Sequence, residues 1–126
     1  MKFKIDKQER YTVLSLEEDN LNTMLAPELK SEFVIIRNEG VQNLILDLSA
    51  VKFVDSSGLS AILTAHRLWN DEGTFILTGV ENSAVKKLIE ISRVDTVLTI
   101  LPTLAESIDY VMMEEIEREL NEEDDE

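Results

Sequence analysis

Between Val54 and Leu59 the chain reads Asp55-Ser56-Ser57-Gly58. A carboxylate, two adjacent hydroxyls and a glycine stand where an apolar strand pattern gives way to a helical one. Three kinds of chemistry fit these residue types: helix capping, nucleophilic attack, and acceptance of a covalent modification. Capping is the simplest. A hydroxyl at a helix start accepts a hydrogen bond from a free backbone N–H, and an acid there is favoured by the positive end of the helix dipole. This reading makes Ser57 the N-cap and gives Asp55 to the dipole. It leaves one hydroxyl without a task. It also puts Gly58, a poor helix former, in the first turn, where it permits another backbone to come close.

A catalytic serine needs a base. The chain has one histidine, His66, and no Gly-x-Ser-x-Gly elbow. His66 falls two turns along the same helix, beside the apolar arc of Leu59, Ile62 and Leu63, and reads as a packed histidine with a local hydrogen bond. No glycine-rich loop leads into a lysine, so a phosphate cradle is not supported. Asp47, at a strand end, lacks the acidic pair that a metal-assisted aspartyl phosphoacceptor requires. It reads as a residue bridging the turn Asp47-Leu48-Ser49-Ala50-Val51. Asp19 and the C-terminal acids could attract divalent ions weakly, but no loop has calcium-binding spacing, and no metal or cofactor is expected.

Modification remains. A phosphoserine at a helix N-terminus is stabilised by free N–H groups and the dipole, so a domain could carry one without unfolding. Beside Asp55 it would concentrate about −2.5 to −3 of charge on one small patch. A partner docking there would meet bulk and repulsion, which changes affinity rather than fold.

The elements that position this turn follow from periodicity. Phe3, Ile5 and Lys7 alternate with polar residues as a strand, and Tyr11 to Leu16 form a second, joined by a break short enough for an antiparallel hairpin. Glu17 to Thr23 read as polar loop. Leu29, Phe33 and Ile36 recur at helical spacing, with Pro27 in a first turn and Gly40 as the stop. Val41 to Leu48 and Thr74 to Gly79 read as buried strands. Between them runs the helix after Gly58. Asn82 or Ser83 caps a short helix, Asp95 to Leu101 form a last edge strand, and Thr103-Leu104-Ala105-Glu106 has the form of a capping box before a final helix. The order is β-β-α-β-α-β-α-β-α. It predicts an α/β fold, a single domain with a mixed, mostly parallel sheet whose antiparallel pair is the opening hairpin.

The chain has 126 residues, one domain's length, and 44% are hydrophobic, enough for one core. Without cysteine, disulfide frameworks, thiol nucleophiles and cysteine metal sites are excluded. The opening residues lack a secretory apolar run, and no stretch approaches the ~18 apolar residues of a membrane span, so a cytoplasmic protein is expected. The formal charge is −14. Residues 114 to 126 hold nine acids and one base, Arg118, which leaves −6 for residues 1 to 113. Both parts repel phosphate backbones and anionic surfaces, so neither nucleic acid nor membrane is expected as a partner.

Leu44 to Leu63, LILDLSAVKFVDSSGLSAIL, closely resembles the signature of STAS domains, specifically bacterial anti-sigma factor antagonists. That signature runs from an apolar strand through Asp-Leu-Ser and a short link to Asp-Ser-Ser-Gly-Leu and a helix. Asn22 to Phe33 resembles the family's first-helix entry. The stretch from Glu81 to Ile108 resembles its later helix, last strand and final helix. The resemblance covers residues 1 to 113. Residues 114 to 126 are then an acidic C-terminal extension of the last helix, expected to fray beyond about Leu120 and to act as a solubilising end.

The resemblance implies partner switching. The antagonist binds a serine-kinase anti-sigma factor, which releases the sigma factor. The kinase phosphorylates the first serine of Asp-Ser-Ser-Gly, here Ser56, and a metal-dependent serine phosphatase restores the free form. Asp55 would shape the turn, while Ser57, Gly58 and Leu59 would belong to the docking surface. ATP belongs to the kinase, so the chain would be a substrate and binder rather than an enzyme. The loop before the first helix usually carries Gly-x-Leu-Asp. Here Asp19 replaces the glycine and Asn22 the aspartate, so Asn22 would meet the partner without charge. A second role on the same fold is a STAS subunit in a transporter-associated or stressosome-like assembly.

Overall fold

The computed structural model describes residues 1–124. Five strands form the main sheet: β1 (Phe3–Lys7), β2 (Thr12–Leu16), β4 (Asn43–Asp47), β6 (Thr74–Thr78) and β7 (Thr99–Leu101), in the order β1-β2-β4-β6-β7. β1 runs antiparallel to β2, and every other neighbour is parallel. Parallel neighbours need crossovers. These are α1 (Ala26–Asn38), α2 (Ser56–Trp69) and α3 (Ser83–Ser92), with α4 (Leu104–Asp124) closing the chain. The order of the main elements is the one expected from the sequence, and the fold is a single mixed α/β domain.

The period-two alternation of the strands sorts the core into two layers. Leu14, Leu16, Leu44, Leu46, Phe75 and Leu77 face the layer that contains α1, α2 and α3. Val13, Ile45 and Ile76 face the other side and meet Val111 of α4. Phe33, Trp69 and Phe75 form an aromatic cluster with centroids 6.2–6.4 Å apart, and the Trp69 indole donates to the Val41 carbonyl at 2.9 Å. This cluster ties α1 and α2 to the sheet, which fixes the direction from which α2 enters the site. Gly40 (φ +91°) ends α1, as a helix stop should.

Two expectations need correction. The segment read as polar loop contains β3 (Asn20–Leu21), which pairs in parallel with β5 (Phe53–Val54), and Leu21 is fully buried. The stretch read as a last strand begins as a 3-10 turn over Val94–Thr96, and only Thr99–Leu101 joins the sheet. Helix α4 is described through Asp124. Asp125 and Glu126 lie outside the described residues.

The acidic extension is also tied to the body. Arg118 donates to Thr74 Oγ1 (3.0 Å), Asn43 Oδ1 (2.8 Å) and Glu115 Oε1 (3.0 Å). The Asn43 amide donates back to Glu115 (2.6 Å) and to the Arg10 carbonyl (2.7 Å), and Arg10 holds Glu119 at 2.8 Å. Polar contacts, rather than apolar ones, extend the docking of α4 by two turns.

Candidate functional site: the turn into helix α2

The turn is built where the short strands β3 and β5 end. Their register sets Asn20 opposite Phe53 and Leu21 opposite Val54, and the Asp55 N–H donates to the Leu21 carbonyl at 3.2 Å. These strands bring the loop before α1 against the first turn of α2. Gly58 makes that approach possible. A β-carbon there would overlap the Leu21 carbonyl oxygen and stand 2.8 Å from Leu21 Cγ. The backbone that comes close at Gly58 is therefore the chain's own.

Asp55, not Ser57, caps α2. Its backbone is extended (φ −100°, ψ −175°), and its Oδ1 accepts the Gly58 N–H at 2.9 Å. Oδ2 accepts the Thr23 N–H at 3.2 Å and the Thr23 hydroxyl at 3.3 Å. One carboxylate thus joins the helix start to the β3–α1 loop. A carboxylate reaches both sides with two oxygens, whereas a serine hydroxyl offers one. The N–H donors hold the Asp55 carboxyl below its ordinary pKa, the Gly58 N–H most strongly, against a smaller upward push from burial.

The two serines are then divided. Ser57 is half-buried, with its Oγ 3.1 Å from Thr23 Oγ1. Ser56 is exposed at the first position of the helix, and no hydrogen bond of its hydroxyl is found among the described residues. It borders a shallow depression of about 280 Å³ that is also lined by Thr23, Pro27, Lys30, Ser57 and Ser60. Lys30 is the one cation in that lining. Of the helix N–H groups expected to cradle a phosphate, that of Gly58 is already committed to Asp55, and the Ser56 side chain itself is exposed. A phosphate on Ser56 would therefore project from the helix mouth into solvent, beside a carboxylate and within the same depression as Lys30.

The other sequence-derived residues divide between surface and core. Asn22 is half-buried, and its Oδ1 accepts the Met24 N–H at 3.0 Å, while its carbonyl accepts the N–H groups of Leu25 and Ala26. Its amide does the turn-forming work of an aspartate without the charge. Gly58 and Leu59, expected on the docking surface, are buried: Gly58 against Leu21, Leu59 in the core. They position the turn from beneath it. Sequence reading misses Thr23, which sits in a segment without a period, although it contacts both Asp55 and Ser57. Asp47 accepts the Ser49 N–H and hydroxyl, as the turn-bridging reading expects. His66 is half-buried and lies about 15 Å along the helix from Ser56 at 1.5 Å per residue. The expected local hydrogen bond of its ring is not found among the described residues. Among the described residues, no histidine, lysine or carboxylate is hydrogen-bonded to the hydroxyl of either serine.

Similar folds occur among solved structures. An anti-sigma factor antagonist from Mycobacterium paratuberculosis superposes with a TM-score of 0.80 at 22% identity, over 88% of this chain and 93% of that one. An anti-sigma-factor antagonist (STAS) domain protein from Planctomyces limnophilus gives 0.78 at 19% identity, over 87% and 97%. The phosphorylated form of the Bacillus cell fate determinant SpoIIAA gives 0.65 at 21% identity, over 87% and 99%. No protein of curated function matches the sequence. The pattern of the STAS domain family matches residues 2–122, and the chain, with the fold and helix-mouth turn described above, belongs to that family.

Proposed function

We propose that this protein is an anti-sigma factor antagonist in a partner-switching pathway. It binds a serine-kinase anti-sigma factor through the surface around the α2 mouth, and phosphorylation of Ser56 switches it off. The carrying observation is the unequal environment of the paired serines. Ser56 is exposed and unengaged, whereas Ser57 is half-buried against Thr23. A kinase can reach the first without disturbing the fold. The phosphate would then stand beside the ionised Asp55, and a partner seated over the turn would meet concentrated negative charge. A metal-dependent serine phosphatase would reset the switch. Similarity to antagonists, one of them solved in a phosphorylated form, supports this reading. In it the chain is a substrate and a binder, and the kinase supplies ATP.

The test is to incubate the protein with ATP and the serine kinase encoded in the same genome, then map the phosphate by mass spectrometry. A single modified site at Ser56, absent from Ser56→Ala, is the expected result. Labelling that persists unchanged in Ser56→Ala sinks the assignment. Absence of kinase binding, with the chain instead recovered in a transporter-associated or stressosome-like assembly, would move the role to a scaffold on the same fold.

A further inference from the structure

The outer face of α4 carries an apolar stripe that the chain itself does not cover. Met113, Ile116 and Leu120 recur at intervals of three and four, so they line one side of the helix, with Met112 beside them. Met113 is 57% exposed, Ile116 49% and Leu120 55%. The opposite side of α4 is already used, since Ser107 and Val111 are fully buried against the sheet.

Charge restricts what can cover this stripe. From Leu104 to Asp124 the only base is Arg118, and its guanidinium is turned inward onto Asn43 and Thr74. Asp109 stands at the head of the stripe, one turn before Met113. Glu117 borders it on one side, and Glu119, shared with Arg10, borders it on the other. A second copy of α4 laid on the stripe would bring acids against acids along the seam, as would an anionic membrane surface. A segment with bases beside its apolar residues would bury the same area and pair those acids. Methionines suit such a surface because their flexible side chains adapt to the partner's shape.

We propose that this face of α4 is a docking surface for an amphipathic helix of another protein, one whose apolar stripe is flanked by lysine or arginine. The surface belongs to the layer opposite α2, so it is separate from the Ser56 turn.

The probe is a fluorescent synthetic peptide as long as α4, with leucines at heptad spacing flanked by lysines, titrated into the full chain and followed by anisotropy. Saturable binding is expected, weakened about tenfold or more by the double variant Ile116→Gln/Leu120→Gln. The charge variant Asp109→Lys/Glu117→Lys, which leaves the apolar residues and the buried face intact, should weaken it comparably. Circular dichroism checks that both variants keep their helix content. Equal binding of a peptide with the same composition in scrambled order would reduce the effect to bulk charge and overturn the proposal. So would equal binding of a peptide with glutamates for the lysines, or absence of binding. A dimer in sedimentation that Ile116→Gln dissociates would overturn it in favour of a second copy.

Discussion

Replacing Asp55 by alanine removes an acceptor shared by Gly58, Thr23 and the Thr23 hydroxyl, so it should lower the melting temperature more than Ser57→Ala does. The opposite ranking would return the cap to Ser57. Asparagine is also a good capping residue but offers one acceptor oxygen, so Asp55→Asn keeps the Gly58 bond, loses the Thr23 N–H bond and should be less stable than wild type at neutral pH. The pH dependence separates the two. The folded Asp55 carboxyl lies below its ordinary value, so its contribution is complete above the unfolded value near about 4. It is lost as pH falls through the folded value. Wild type should therefore lose stability relative to Asp55→Asn below about pH 4, measured by urea denaturation across pH. Gly58→Ala presses a β-carbon into the Leu21 carbonyl and should cost about 1–3 kcal/mol in the same assay.

Among the elements, the junction of β3, β5 and α2 holds the turn, and the polar clasp holds the far end of α4. Arg118→Ala leaves Asn43, Thr74 and Glu115 without their shared donor and should destabilise by about 1–3 kcal/mol. Hydrogen exchange should show the loss concentrated in α4 beyond Val111. Uniform loss of protection would contradict a local clasp. The main sheet and the helices were legible because apolar runs such as Leu44-Ile45-Leu46 and the 29–33–36 spacing carry their own periods. Two-residue strands have no period, and Leu21 stands alone among polar residues, so β3 and β5 were not legible. Sequence alone sets the cap two residues too late because Asp55, Ser56 and Ser57 are all good capping types, and only backbone geometry separates them. The clasp leaves no local pattern in the sequence, because Arg118 lies 44 and 75 residues from its partners Thr74 and Asn43.

Taken as a whole, the molecule carries −14 charges, and much of that excess is unpaired. Its exposed ion pairs, such as Lys4–Glu17, contribute little, so self-repulsion outweighs them. Raising salt from about 10 mM to 300 mM should therefore raise the melting temperature as repulsion is screened. A fall would mean that the ion pairs dominate. The same charge frames the proposed switch, because a phosphate on Ser56 adds to an already negative surface at the one exposed hydroxyl of the Asp55–Gly58 turn. Calorimetric titration of the proposed serine-kinase partner with wild type and with Ser56→Asp tests this most directly. The account predicts a defined complex with wild type and an affinity at least about tenfold weaker with Ser56→Asp, with circular dichroism spectra unchanged. Equal affinity for the two proteins would contradict it.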